Sequence, residues 1–144
     1  MKYFTPSEAV KFINSGESVY IQGSTSIPEV LCKALADRGD ELRDVTIYAA
    51  FAVGRCEAPF CRPEYKDSFN IKSLFVANNI RKWLAAGYGS TIPAFLGEIP
   101  GLFRDGTLPL DAVFLNVSPP NDEGYCSFGV SADLAVSAVE CAAK

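Results

Sequence analysis

Short runs of apolar and β-branched residues alternate along the chain with stretches in which apolar residues return every three or four positions. The first kind comprises Ser18-Val19-Tyr20-Ile21, Val45 to Ala50, Phe69 to Val76 and Asp111 to Val117, which have the length and composition of strands. The second kind predicts four helices. Thr5-Pro6-Ser7-Glu8 opens one, with Thr5 as cap, Pro6 at the first helical position and Glu8 closing a capping box, and it runs to about Asn14. Ile27-Pro28-Glu29 opens the next, which sets Val30, Leu31, Ala34 and Leu35 on one face and stops near Gly39. A third runs from about Asn78 to Ala86, carries Ile80, Trp83 and Leu84, and ends at Gly87. A fourth starts near Ala132 with Leu134, Ala135, Ala138 and Val139 on one face; it reaches Lys144 without a stop signal, so a longer native chain is expected. Gly54 to Asp67 reads as loop. Tyr88 to Leu108, with Pro93, Pro100 and four glycines, reads as connection with one short helical turn.

Strands that alternate with helices predict βαβ units, hence an α/β fold with an open, mostly parallel, doubly wound sheet and right-handed crossovers. The near-continuous apolar character of Val45 to Ala50 suits a sheet covered on both faces. One domain spanning 1–144 is expected, since 144 residues can enclose a core of their own. In such sheets ligands bind beyond the carboxyl ends of strands where the strand order reverses. Gln22-Gly23 and Asn116-Val117-Ser118 both follow strands.

Charge and composition narrow the chemistry. A formal net charge of -4 and an isoelectric point near 4.8 argue against nucleic-acid binding, which needs gathered Lys and Arg. No apolar run approaches the roughly 20 residues of a membrane span and the start lacks a signal-peptide core, so a cytoplasmic protein without membrane contact is expected. The five cysteines are odd in number and form no Cys-x-x-Cys pair, which suits reduced thiols and no metal site. With no histidine, neither a Ser-His-Asp nor a Cys-His nucleophile can be built from this chain.

Three segments can carry a ligand. In Gln22-Gly23-Ser24-Thr25-Ser26-Ile27-Pro28, Gly23 lets backbone approach a ligand and the following N–H groups can face an anion or carbonyl, although an ordinary capped βα turn has the same composition. Gly87-Tyr88-Gly89-Ser90-Thr91-Ile92-Pro93 follows the helix that bears Arg81 and Lys82, where an acyl or CoA contact competes with a plain helix cap. The stretch from Asp111 to Gly129, with Ser118-Pro119-Pro120-Asn121-Asp122-Glu123-Gly124, is turn-rich, with Asn121 and Asp122 suited to bonding local amides. Within it Asp122-Glu123 reads as a solvated pair and Cys126 as a thiol with no base to activate it. Tyr20, Phe75 and Trp83 read as core.

These segments resemble the acetyl-CoA hydrolase/transferase family, a group of CoA-transferases. The carriers are the glycine turn after the first strand with Pro28-x-x-Leu31-x-x-Ala34-Leu35, then Gly87-x-Gly89-x-x-x-Pro93 with Pro100-x-Leu102-Phe103, and above all Asp111 to Gly129. Asn116 stands where the family commonly has Gln. The resemblance covers essentially the whole chain as an amino-terminal part, with 4-hydroxybutyrate CoA-transferases as the nearest members. It implies coenzyme A as a substrate, together with acyl-CoA and short carboxylates such as acetate or 4-hydroxybutyrate, and a homodimer. It also implies a glutamate nucleophile on a carboxy-terminal domain, passing through acyl-anhydride and glutamyl-CoA intermediates; no glutamate here matches it. Substrate contacts are then expected from Gln22, Gly23, Ser24, Gly89, Pro93, Asn116, Ser118, Asn121 and Gly124, with no catalytic group and no metal in this chain. Two rivals remain open: a non-catalytic acyl-CoA-binding module, and a sugar-phosphate isomerase on a related sheet.

Overall fold

The computed structural model describes residues 3–50 and 59–144. Five strands, β1 (Ser18–Ile21), β2 (Val45–Ala49), β3 (Phe69–Ser73), β4 (Gly89–Thr91) and β5 (Ala112–Phe114), form one all-parallel sheet in the order β4-β3-β2-β1-β5. Register runs Val19↔Ile47 and Val19↔Ala112 across the centre and Ile71↔Gly89 at the edge. The chain moves from β1 outward through β4, then returns to the far side of β1 as β5. That return is the reversal of strand order, and it falls between β1 and β5.

The alternation of side chains along a strand divides the core in two. One face of the sheet buries Val19, Ile21, Val45, Ile47, Phe69, Ile71, Ala112 and Phe114. Against it lie α1 (Pro6–Ala9) with a following 3-10 turn (Val10–Phe12), α2 (Glu29–Ala36), and Ile80 from α3 (Asn78–Ala85). The other face carries Tyr20, Tyr48 and Leu74, packed with Ile99 and Phe103 of α4 (Ile99–Arg104) and Ala138 of α5 (Ala135–Cys141). Phe103 meets the edges of Tyr20 and Tyr48 at 5.8 and 6.1 Å, a geometry that adds to the area each ring buries. Helices on both faces of a parallel sheet make the fold α/β and doubly wound, as the pattern of the chain predicts.

Several boundaries differ from the sequence-based expectations. The first helix holds its α form only to Ala9, with the Thr5–Glu8 capping box formed as predicted, before tightening into the 3-10 turn. The third strand stops at Ser73, so Phe75 lies beyond it and is 47% exposed rather than core, whereas Tyr20 is fully buried and Trp83 packs against the core. Tyr88 to Leu108 contains a strand, β4, where connection was expected, and its one predicted helical turn is the six-residue helix α4. The last helix ends at Cys141: Ala142 is extended, and Ala143 and Lys144 both donate N–H groups to Asp111 C=O. The predicted loop from Gly54 is described only from residue 59, where Pro63–Tyr65 forms a 3-10 turn.

Candidate functional site

The reversal point places the Gly23 turn and the segment after β5 side by side. Gly23 sits so close to the end of β2 that an added Cβ would stand 2.0 Å from Ala50 O, well inside any tolerable contact. No residue with a side chain fits there. Ser24 follows at φ 58, a left-handed conformation costly for a non-glycine residue, and turns the chain away from the sheet. Ser26 N–H donates to Gly23 C=O at 3.2 Å and closes the turn.

Gln22 is fully buried, and its amide ties the two segments together. Its Oε1 accepts Asn116 N–H at 2.8 Å, while its Nε2 donates to Ser131 C=O at 2.7 Å and Phe128 C=O at 3.3 Å. All three partners are main-chain groups at the two ends of one loop, so Gln22 braces that loop. Asn116 is held by its backbone, and its side chain is exposed.

The loop between those anchor points is fastened on itself. Ser118 N–H donates to Ser127 C=O and Ser127 N–H to Ser118 Oγ, each at 2.9 Å. Nearer the tip, Asn121 Oδ1 accepts N–H groups from Glu123 and Tyr125 at 3.1 and 2.8 Å, and Gly124 takes φ 88. A self-bonded turn of this kind spends Asn121 Oδ1 and Ser118 Oγ on the loop's own shape. Asp122, Glu123, Tyr125 and Cys126 are exposed around the tip. Cys126 is a free thiol, as are buried Cys32 and half-buried Cys141.

One carboxylate enters the crevice that sequence reasoning had not singled out. Asp133, at φ 32, brings Oδ2 to 3.3 Å from the place a Gly23 Cβ would take, and Tyr20 Oη donates to its Oδ1 at 3.3 Å. Burial, followed by the charge of Asp133, pushes the Tyr20 phenol far above its ordinary value, so Tyr20 stays a proton donor toward that carboxylate. In sequence Ser131-Ala132-Asp133-Leu134 reads as a helix start. Only the fold carries it across to Gly23.

Gly89 and Pro93 do not join this group. Gly89 opens β4 in mid-sheet, level with Ile71, Ile47 and Val19, where an added Cβ would lie 2.5 Å from Ile71 O; it borders a hollow lined by Lys66, Asp67 and Lys72. Its glycine permits close strand pairing and points to no ligand at the reversal. Pro93 does follow a carboxyl end, but β4 stands three strand spacings from β1, about 14 Å away. It lines a separate hollow with Ala94, Phe95 and Glu98. Lys82 lies over the Trp83 ring at 4.6 Å, on the helix that leads into the amino end of β4.

A parallel sheet with helices on both faces, its strand order reversing between β1 and β5 under a braced polar loop, defines an open α/β domain. The chain belongs to the acetyl-CoA hydrolase/transferase family, whose amino-terminal domain model matches residues 1–144. It is 33% identical over 135 residues to a succinyl-CoA:acetate/propanoyl-CoA:succinate CoA transferase of Fasciola hepatica, covering 92% of this chain and 27% of that one. It is 32% identical over 141 residues to a 4-hydroxybutyrate coenzyme A transferase of Clostridium kluyveri, covering 98% and 32%. The crystal structure of RipA from Yersinia pestis superposes with a TM-score of 0.84 at 27% identity, covering 96% of this chain and 34% of that one. The chain thus spans about a third of the length of the relatives it matches.

Proposed function

We propose that this chain forms the amino-terminal portion of a CoA-transferase that moves CoA between an acyl-CoA and a short-chain carboxylate. The observation that carries the reading is the Gln22 brace, which holds a polar loop over the sheet's order reversal in a chain of this family. In that reading Gly23, Ser24 and the loop from Asn116 to Ser131 are walls that orient the acyl group or the acceptor. Backbone N–H groups and the Asp133–Tyr20 pair supply the polarity, and the attacking carboxylate comes from a following portion of the protein. Orientation alone lowers a barrier by several kcal/mol, but no covalent exchange proceeds without the nucleophile.

The surface beyond the strand ends supports an added portion there. Phe75, Phe95, Leu96, Val117, Tyr125 and Val130 all follow carboxyl ends of strands and are exposed, more apolar rim than a crevice facing water needs. No helix among the described residues is long and apolar enough to cross a membrane.

Two measurements test this function. Butyrate or CoA, titrated into the 144-residue chain, is expected to shift the amide resonances of Gly23, Ser24, Asn116 and Ser118. Shifts confined to the hollow around Phe69 and Gly89 overturn the placement. Mixed with acetyl-CoA and butyrate, the chain alone is expected to form no butyryl-CoA; formation of that product would show that it carries its own nucleophile.

A further inference from the structure

Asp133 stands at the Gly23 turn with its two oxygens unequally engaged. Oδ1 accepts the Tyr20 hydroxyl at 3.3 Å and the backbone N–H of Leu134. Oδ2 lies 3.3 Å from the place a Gly23 Cβ would take and has no hydrogen-bond partner among the described residues. No Lys or Arg among them forms an ion pair with the carboxylate either. Tyr20 is fully buried on β1, so its hydroxyl anchors the carboxylate to the sheet and leaves the second oxygen bare.

The backbone is set to the same end. Asp133 takes φ 32 and Ser24 φ 58, two non-glycine residues in the left-handed region, one beside Gly23 across space and the other next to it along the chain. Such conformations persist where the surroundings impose them, and they gather at functional sites. Asp133 is also exposed, so a dissolved molecule can reach it. The turn therefore carries a fixed negative charge with one open hydrogen-bond acceptor.

We propose that Asp133 selects the substrate by charge: it admits a short carboxylate whose far end is neutral or cationic, favours a hydroxyl or ammonium there, and excludes a second carboxylate. This rests on the reading that the Gly23 turn and the braced loop orient the acyl group or the acceptor. Like charges a few ångström apart at a protein surface repel strongly enough to cost about tenfold in affinity. A hydroxyl or ammonium instead gains a charge-assisted hydrogen bond at Oδ2. The same repulsion decides which end of the substrate comes near. The reacting carboxylate lies away from Asp133 and the far end of the carbon chain faces it; in the acyl-CoA the reacting carboxyl is an uncharged thioester, and the far end is then all that Asp133 reads. Tyr20, which acts through Asp133, is a positioning residue.

Succinate, butyrate and 4-aminobutyrate share one chain length and differ in the charge of the far end. Titrated into the 144-residue chain at neutral pH and low salt, and followed at the Gly23 and Ser24 amides, succinate is expected to bind at least about tenfold more weakly than butyrate, and 4-aminobutyrate more tightly. Asp133→Asn keeps an acceptor for Tyr20 and tolerates a positive φ; it is expected to bring the three acids within about threefold of one another. Tyr20→Phe keeps the charge but loosens its hold, and is expected to narrow the series without abolishing it. Raising salt from about 0.01 to about 1 M is expected to compress the series in the unaltered chain, because the screening length falls from about 30 to about 3 Å. Equal affinities in the unaltered chain, a series that survives Asp133→Asn, or one that salt leaves unchanged overturns the proposal. If no acid shifts Gly23 or Ser24, the proposed function fails and this selection with it; if butyrate shifts them and the series is flat, only the selection fails.

Discussion

At the crevice, individual residues are constrained by how near they stand to backbone. Gly23→Ala forces a methyl group onto Ala50 C=O, so the β1 and β2 ends must part; a loss of about 2–4 kcal/mol is expected from urea unfolding. Gln22→Leu preserves the buried volume approximately but leaves Asn116 N–H and two carbonyls without partners. At about 1–3 kcal/mol for a fully buried group left without a partner, and less for groups on exposed and half-buried residues such as these, roughly 2 kcal/mol is expected. The Asn116 amide should lose exchange protection before Tyr20 does. Tyr20 offers a pH test. Its folded-state pKa is raised, chiefly by burial, so the stability it contributes is complete below the unfolded phenol value near 10 and is lost progressively as pH climbs above it. Tyr20→Phe is expected to flatten the alkaline unfolding limb while costing about 1 kcal/mol at neutral pH, from the bond to Asp133.

Among the elements, the short ones depend most on their surroundings. β4 has three residues, begins with glycine and lies at the sheet edge, so no period of two could reveal it; its pairing with β3 and the close approach of Gly89 to Ile71 O create it. Gly89→Ala is therefore expected to release β4 locally. Exchange at the Ile92 amide, which donates to Ser73 C=O at 2.9 Å, should quicken while β1 and β2 amides hold. α4 was legible only as an unplaced helical turn because Pro100 and Gly101 obscure it, yet Pro100 occupies the first turn, where proline is tolerated, and burial of Ile99 and Phe103 secures the helix. α1, in contrast, was legible because its signal is local, with Thr5, Pro6 and Glu8 within four positions forming the capping box.

Over the whole molecule, Glu17 and Lys144 join the first loop to the last residue. Burial raises the Glu17 pKa, but bonds from Lys144 and Asn14 outweigh it and hold the carboxyl below its ordinary value. A depressed carboxyl contributes stability present above the unfolded pKa, near 4.5, and lost as pH falls through the folded value. Glu17→Gln is thus expected to cost about 0.5–1 kcal/mol at pH 7, less below pH 4, and to free the end of the chain from the β5 edge.

The order of the major strands and helices, the parallel α/β class and the two segments that follow β1 and β5 were legible in the residues alone, because periods of 2 and 3.6 and the caps that bound them are written within a few neighbouring positions. So was the absence of any histidine-based nucleophile from this chain. It took the folded chain to make Gln22 a brace, to place Gly89 in mid-sheet three strands from β1, and to bring Asp133 beside Gly23. Gln22 bonds a carbonyl 109 positions away, and such a contact depends on strand order and register, which nothing in the local pattern of residues encodes.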